Sequence, residues 1–416
     1  MNSFVIPEDV TRIIKTLMGA EEEAYIVGGC VRDLLLGEEP HDWDITSSAS
    51  PEMVKSLFSR TIDTGLSHGT VTVMLHHEGY EITTYRVDGK YEDYRRPKEV
   101  IFTRSLEEDL LRRDFTINAM AYNPYIGLVD LYHGKSDLEH GIIRCVGKPW
   151  DRFNEDALRM LRAIRFSAKL GFSIEEETYQ AILKNAQLIS YVSGERILVE
   201  ITKTLMSNAP EKIELLACTK LIDYIMPEYH QVSKRIHTEQ YRRLIQVEAK
   251  THLRWSLYMF IIGMDDTWLS PKERADKTRE VLKHLRFDNR NKDLISKIIH
   301  YIDYPLDRKP TSIRFLIHLV GKDLFLDYLQ VRRAALQEPG NLSQEEAVFH
   351  QVIRNREATQ ITELAIKGDQ LMAAGIPRGK EIGRYLNLLL HYVLHEPEKN
   401  TEEELMKYFT KVWKND

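Results

Sequence analysis

Cysteine is scarce in this chain. Cys30, Cys145 and Cys218 are the three in 416 residues; they are far apart and odd in number, which argues against a disulfide framework or a thiolate zinc cluster and fits reduced, buried thiols. Long apolar runs are missing as well: no window approaches the roughly 18 apolar residues of a bilayer span, so no membrane partner is expected. Met1 to Val10 carries Glu8 and Asp9 and has neither a basic nor an apolar signal segment, so the expectation is a soluble, cytoplasmic protein. Nor is there an excess of positive charge. Against 57 Lys and Arg stand 63 Asp and Glu, a formal net charge of −6, whereas a nucleic-acid binder usually shows a surplus of cations.

A chain of 416 residues has room for two to four packed units, because single cores stop growing near about 200 residues. Its texture changes partway. Over the first ~145 residues, short β-branched runs (Tyr25 to Val27, Thr70 to Leu75, Tyr80 to Tyr85, Val100 to Thr103) lie between Gly-bearing turns, the pattern of strands in a mixed α and β domain. Beyond Asp151 the apolar period becomes 3.6, as where Leu158, Leu161, Ile164 and Ala168 make one stripe, and the rest reads as helical. Breaks are expected near Gly147-Lys148-Pro149, Ser207 to Pro210 and Tyr304 to Pro310. Residues 271 to 320 hold twelve cations against seven anions; they read either as a phosphate track or as a solvated helical face.

The chemistry concentrates early. Tyr25 to Gly37 reads as a strand, a Gly28-Gly29 turn, and a short helix closed by Gly37. Such a turn exposes backbone N–H groups at a positive helix end, and Arg32 adds a charged donor, so a triphosphate fits there. In His41-Asp42-Trp43-Asp44-Ile45 the two carboxylates stand at i and i+2 of an extended strand and project from one face. Two carboxylates so close repel unless divalent cations lie between them, which is the requirement of two-metal phosphoryl transfer. Oxygen ligands and phosphate substrates favour two Mg²⁺ ions. The hairpin of Thr70 to Leu75 and Tyr80 to Tyr85 offers Glu81 as a third ligand; the competing reading is an exposed strand residue paired with a cation.

These residues resemble the class II CCA-adding enzymes and bacterial poly(A) polymerases of the polymerase-β nucleotidyltransferase superfamily. The Gly28-Gly29-Cys30-Val31-Arg32 segment with Asp42 and Asp44 resembles that family's catalytic motif. Arg112-Arg113-Asp114 with Asn118 resembles its ribose-recognition motif, and Glu155-Asp156 with Arg159 resembles its nucleotide-selecting motif. The blocks follow in the family's order across residues 20 to 172; the C-terminal half matches only in length and helical character. The resemblance implies that Asp114 and one arginine, Arg113, hold the ribose hydroxyl, that Asn118 supports their loop, and that Asp156 and Arg159 act as a protein template. It also implies an α+β fold: a nucleotidyltransferase head with a short mixed sheet over 1–147, then helical neck (148–207), body (208–308) and tail (309–416), the last two binding RNA.

The selecting motif has chemistry of its own. At i and i+3 of one helix, an Asp acceptor and an Arg donor lie side by side like the edge of a base. Cytosine and adenine both offer an exocyclic amine beside a ring acceptor, whereas guanine and uracil present the reverse; the pair would take C and A. The bland alternative is a surface ion pair. Arg162 and Arg165 continue the spacing and suit a triphosphate.

The polar stretch Arg86 to Pro97 resembles the family's flexible loop, which relatives adding only CC lack. No Gly-Arg-Arg-Phe block or long basic extension of the poly(A) polymerase kind is seen, and the single His-Asp dipeptide, His41-Asp42, gives no sign of a phosphohydrolase domain. The expectation is therefore addition of C, C and A to the tRNA 3′ end from CTP and ATP, with a bacterial poly(A) polymerase or CC-adding enzyme as the alternative. Monomer and homodimer both stay open.

Overall fold

The computed structural model describes residues 4–89, 91–92, 96–97, 100–229, 231–235, 238–266, 268–307, 309–337 and 343–414. Of the stretch Arg86 to Pro97 read above as a flexible loop, residues 90 and 93–95 lie outside the described ones. The chain divides into two compact units, residues 1–245 with 284–287, and residues 246–283 with 288–416.

In the first unit, α1 (Glu8–Gly19) presents Val10, Ile13, Ile14 and Leu17, all buried, at helical spacing. Each such side chain contributes about 1.5–3 kcal/mol by leaving water. The strands and helices that follow are β1 (Ala24–Val27), α2 (Gly29–Leu35), β2 (Ile45–Ser47), α3 (Pro51–Leu57), β3 (Thr61–Gly65), β4 (Thr70–Leu75), β5 (Glu78–Thr84), β6 (Arg86–Asp88), β7 (Tyr91–Glu92), β8 (Arg96–Pro97) and β9 (Val100–Phe102). After α4 (Leu106–Leu111) come β10 (Ala121–Asn123) and β11 (Gly127–Val129). One seven-stranded sheet runs in the order β11-β10-β1-β2-β5-β4-β3. It is mixed: β2 and β5 are parallel, with Ile45 opposite Ile82, and the remaining neighbours are antiparallel. The four strand runs expected from sequence each appear within two residues of their expected limits.

Beyond the sheet the first unit is mainly helical, with α5 (Gly134–His140), α6 (Pro149–Glu155), α7 (Leu158–Leu170), α8 (Glu176–Asn185) and α9 (Gly194–Leu205), and a short parallel pair of Ile142–Ile143 with Ser173–Ile174. Pro149 opens α6 at the position where its missing N–H costs nothing. The stripe of Leu158, Leu161, Ile164 and Ala168 is buried, and α7 packs on α9.

The second unit is described by helices throughout, among them Thr251–Ile262, Asn289–Tyr301, Pro310–Val320, Lys322–Leu336, Lys380–His395 and Glu402–Trp413. Thr251–Ile262 is apolar on nearly all sides and correspondingly buried. The last two helices close over Ile366, Leu371, Leu389, Val393, Leu405 and Phe409. Among the described residues seven of the cations between 271 and 320 are engaged by carboxylates, Arg274 with Asp303 and Arg314 with Glu357 among them, which fits a solvated helical face better than a bare phosphate track. Among the described residues no helix is long and apolar enough to cross a membrane. All three cysteines are free, Cys30 and Cys145 buried and Cys218 partly so.

Candidate active site

The chain reverses between β1 and α2 at Gly28, whose φ of +79° places it in the left-handed region that favours glycine. A Cβ there would stand 3.3 Å from Arg113 Nη1, so the bend is also a point of close approach. Gly29 is different. It begins α2 with ordinary backbone geometry, and a Cβ would meet only Arg32 Nη2 at 3.6 Å. The Gly28 N–H is committed to the Met120 carbonyl at 3.2 Å, so a phosphate at this bend would rest on other donors.

Asp42 and Asp44 precede β2 instead of lying on it. The strand starts only at Ile45, where its ladder with Ile26 of β1 begins, because β1 itself ends as the chain turns at Gly28. The anchor is one bond earlier: the Val27 N–H donates to the Asp44 carbonyl at 3.0 Å. Burial lifts the Asp44 carboxyl above its ordinary value; Arg113 opposes this and the charge of Asp42 adds to it. Beneath, the Cys30 thiol donates to the Val27 carbonyl, and burial, then Asp44, push it up to about 11. A thiol so held is packing, not a nucleophile.

The two carboxylates form a wall shared by two cavities. On one side lies a groove lined by His41, Trp43 and Glu78 to Glu81. Glu81 is here, exposed on β5 and opposite Thr72 of β4. On the other side opens a cavity of about 630 Å³ in which Asp42 and Asp44 meet Gly28, Gly29, Arg32, Arg113, Asp114, Asn118, Asp156, Arg159, Arg162 and Arg165. Thirteen of the fourteen residues singled out from sequence thus line one or other cavity. Glu155 is not among the lining residues and sits one layer behind, accepting from Arg159 Nη1 at 2.5 Å and pairing with Arg152.

Eight cationic side chains face four carboxylates in the larger cavity, an imbalance suited to a polyanion. Among the described residues seven of them, all but Lys169, pair with carboxylates. Arg32, almost fully buried, donates to Asn118 Oδ1 at 2.7 Å and to Asp33 at 2.6 Å. Arg162 meets Asp114 at 2.6 Å, and Arg165 meets Glu200 of α9 at 2.6 Å. Burial alone would raise the Asp114 carboxyl, but Arg162 and the Asn118 amide hold it down at about 2. Asn118 Nδ2 donates to Asp114 Oδ1 at 3.2 Å and the Phe115 N–H donates to the same oxygen at 2.8 Å, so the loop is built on this one ionised carboxylate.

The pair expected from sequence to select the base, Asp156 and Arg159, is arranged differently from that expectation. Asp156 and Arg159 do not share a helix face, because the helix breaks between Glu155 and Leu158 and Asp156 has an extended backbone, φ −140° and ψ 104°. An Asp side chain competes for nearby backbone N–H groups: Asp156 Oδ1 accepts from the Leu158 N–H at 3.1 Å and thereby starts α7 instead of riding on it. Its other oxygen accepts from Arg196 Nη2 at 2.7 Å. Arg159, in the first turn of α7, donates to the Arg112 carbonyl at 2.8 Å. Both still line the same cavity.

Four supporting residues were not foreseen. Asp109, wholly buried, grips Arg112 at 2.8 Å and Arg113 at 3.1 Å; Glu200 and Arg196 act from α9; and the ring of Phe166 lies among the arginines. Only Asp109 had a local signal, since it stands three and four residues before its partners on a helical turn.

Comparison with known proteins matches this arrangement of segments. Residues 24–144 match the model of the Poly A polymerase head domain, residues 171–232 that of the probable RNA and SrmB-binding site of polymerase A, and residues 268–409 that of tRNA nucleotidyltransferase domain 2. A CCA-adding enzyme of Pediococcus pentosaceus is 36% identical over 98% of this chain and 99% of its own length. The chain belongs to the CCA-adding enzyme family. A second CCA-adding enzyme, from Lactiplantibacillus plantarum, is 37% identical over 95% of this chain and 94% of its own. The crystal structure of the Bacillus stearothermophilus CCA-adding enzyme in complex with CTP superposes with a TM-score of 0.80 at 31% identity, covering 99% of this chain and 100% of that one. The family is one of nucleotidyltransferases, and members generally use a divalent metal.

Proposed function

We propose that this CCA-adding enzyme extends the tRNA 3′ end by C, C and A from CTP and ATP, releasing pyrophosphate, with Asp42 and Asp44 as its catalytic carboxylates and Glu81 as a third. The observation that carries the reading is the shared wall: the carboxylate pair borders the arginine-lined cavity on one face and the Glu81 groove on the other. A reaction joining an RNA terminus to a triphosphate needs two approaches to one acidic centre.

Asp42 and Asp44 fit a metal-binding role. They are oxygen donors, they face one cavity, and the charge of Asp42 raises the proton affinity of Asp44, as expected of a pair that a cation would relieve. Among the described residues no three His, Cys, Asp or Glu side chains gather to hold a metal ion, so Glu81 borders the pair's groove without completing a ligand set with it; Mg²⁺ is an ion that takes water and substrate phosphates as its remaining ligands. Two Mg²⁺ ions held there would supply the lowered cost of ionising the attacking hydroxyl and the charge uptake on departing pyrophosphate. Arg32, Arg162 and Arg165 bind the triphosphate; Arg113 and Asp114, braced by Asn118, orient the ribose; Asp156 and Arg159 read the base, with Glu155 fixing the guanidinium. The segments 1–147, 148–207, 208–308 and 309–416 serve as head, neck, body and tail, the last two gripping RNA in the cytoplasm.

The test is incorporation of CTP and ATP, supplied singly and together, on tRNA ending before, within and after CCA. CTP followed by ATP is the expected order; many A residues on any RNA, with CTP ignored, would mark a poly(A) polymerase. Asp42→Ala should leave the fold intact and abolish incorporation, and retained incorporation would remove the metal role.

A further inference from the structure

We propose that Phe166 is a positioning residue for the nucleotide triphosphate, the common platform that spreads three arginines of the cavity apart; the proposal rests on the functional reading above. The guanidinium carbons of Arg32, Arg162 and Arg165 lie 5.4, 5.4 and 4.1 Å from the centre of its ring. Cations are drawn to an aromatic face within about 6 Å, so all three are in range and Arg165 is held most closely. The ring is itself fixed. It is 5% exposed and meets Phe115 edge to face at 5.8 Å and 78°.

The arrangement answers a physical difficulty. A triphosphate needs several positive groups at separate points, yet three guanidiniums converging on one place repel and would swing outward. Each has a carboxylate of its own: Asp33 for Arg32, Asp114 for Arg162, Glu200 for Arg165. Those carboxylates come from three different segments, and Asn118 links only two of the arginines through them, bonding Arg32 on one side and Asp114, the partner of Arg162, on the other. The ring lies within reach of all three. Its negative faces attract each cation, and its bulk keeps them from collapsing onto one another. Among the described residues Phe166 and Leu158 are the apolar side chains lining the cavity, so the ring packs into the core on one side and borders the charged space on the other. The three arginines are those read above as ligands of the triphosphate, so the platform acts on the phosphates and not on the base.

The experiment compares Phe166→Leu, Phe166→Met and Phe166→Tyr in the full chain, with steady-state kinetics on tRNA lacking CCA and with tripolyphosphate as a baseless competitor. Leu and Met keep apolar bulk without a quadrupole; Tyr keeps the ring. The expected result is a rise of about tenfold in KM for CTP and ATP, and in the inhibition constant of tripolyphosphate, for Leu and Met. KM for tRNA and the preference for CTP over UTP should stay within twofold, and Tyr should behave as wild type. An unchanged tripolyphosphate constant in Leu and Met, equal impairment of Tyr, or loss of base preference together with phosphate affinity would each overturn the proposal. Should the Leu variant fail to fold, Met against Tyr decides by the same criterion. A wild-type enzyme that adds no C or A would refute the functional reading itself; an active wild type with unmoved variants refutes only the platform.

Discussion

Asp109→Asn tests whether the arginine pair of the ribose loop is held by one buried charge. Asp109 has no exposed surface, and it accepts from Arg112 Nε and Nη2 at 3.0 and 2.8 Å, from Arg113 Nη2 at 3.1 Å and from the Thr46 hydroxyl at 3.3 Å. Breaking a buried ion pair costs about 3–5 kcal/mol. Here the two arginine side chains keep 16% and 18% of their surface and can turn toward water, and the amide oxygen still accepts one bond, so a loss of about 2–3 kcal/mol is expected. For a unit of this size ~1 kcal/mol moves the melting temperature by about 2–4 °C, which predicts a drop of roughly 5–10 °C in the transition of the first unit. The pH dependence adds a second reading. Burial would raise the Asp109 carboxyl, but Arg113 and Arg112 outweigh it and hold the carboxyl below its ordinary value. A depressed folded value contributes stability that is present above the unfolded pKa of about 3.9 and is lost as pH falls through the folded one. The Asn variant should therefore melt lower at neutral pH yet lose less on acidification. Circular dichroism melts of both proteins from pH 7 to pH 3 measure this, and an Asn variant that melts with wild type at pH 7 would show that the charge holds nothing.

Three further outcomes are expected. Asp156→Ala or Arg159→Ala should admit UTP or GTP; unchanged selectivity in competition assays would remove the template idea. Arg196→Ala deprives Asp156 of the bond at 2.7 Å, and as hydrogen bonds to charged groups contribute about 1.5–3 kcal/mol, misincorporation of UTP should rise by about tenfold or more with KM for tRNA unchanged. Asp114, held at about 2, should contribute roughly 2 kcal/mol above pH 4 that disappears between about pH 4 and pH 2, and Asp114→Asn should flatten the acid limb of the denaturation profile over that window.

Much of the first unit was readable because its signals are local. A β-branched run flanked by glycine marks β1 and β4, the turn at Gly28 is demanded by its left-handed backbone, and Gly37 follows α2 with φ +76° where a helix terminus favours glycine. The period of 3.6 located α7 but not its first residue, since Asp156 looks helical by spacing and is drawn out of the helix by its own side chain. The supporting partners were invisible for another reason. Glu200 holds Arg165 across 35 residues and Arg196 holds Asp156 across 40, pairings that depend on how α9 lies against α7 and leave no trace in either segment alone. The charge run at 271–320 could be read two ways from sequence for the same reason, because counting cations ignores the carboxylates that packing brings beside them.

The tethering of Arg32, Arg162 and Arg165 to private carboxylates has a bearing on how the enzyme meets its surroundings. Guanidiniums paired nearby project less of the cavity's positive excess into solvent than free ones would, so dissolved ions have less to displace when a nucleotide arrives. Capture of CTP should thus be only mildly sensitive to ionic strength, and the enzyme would keep its grip on nucleotides across salt conditions that loosen its hold on RNA.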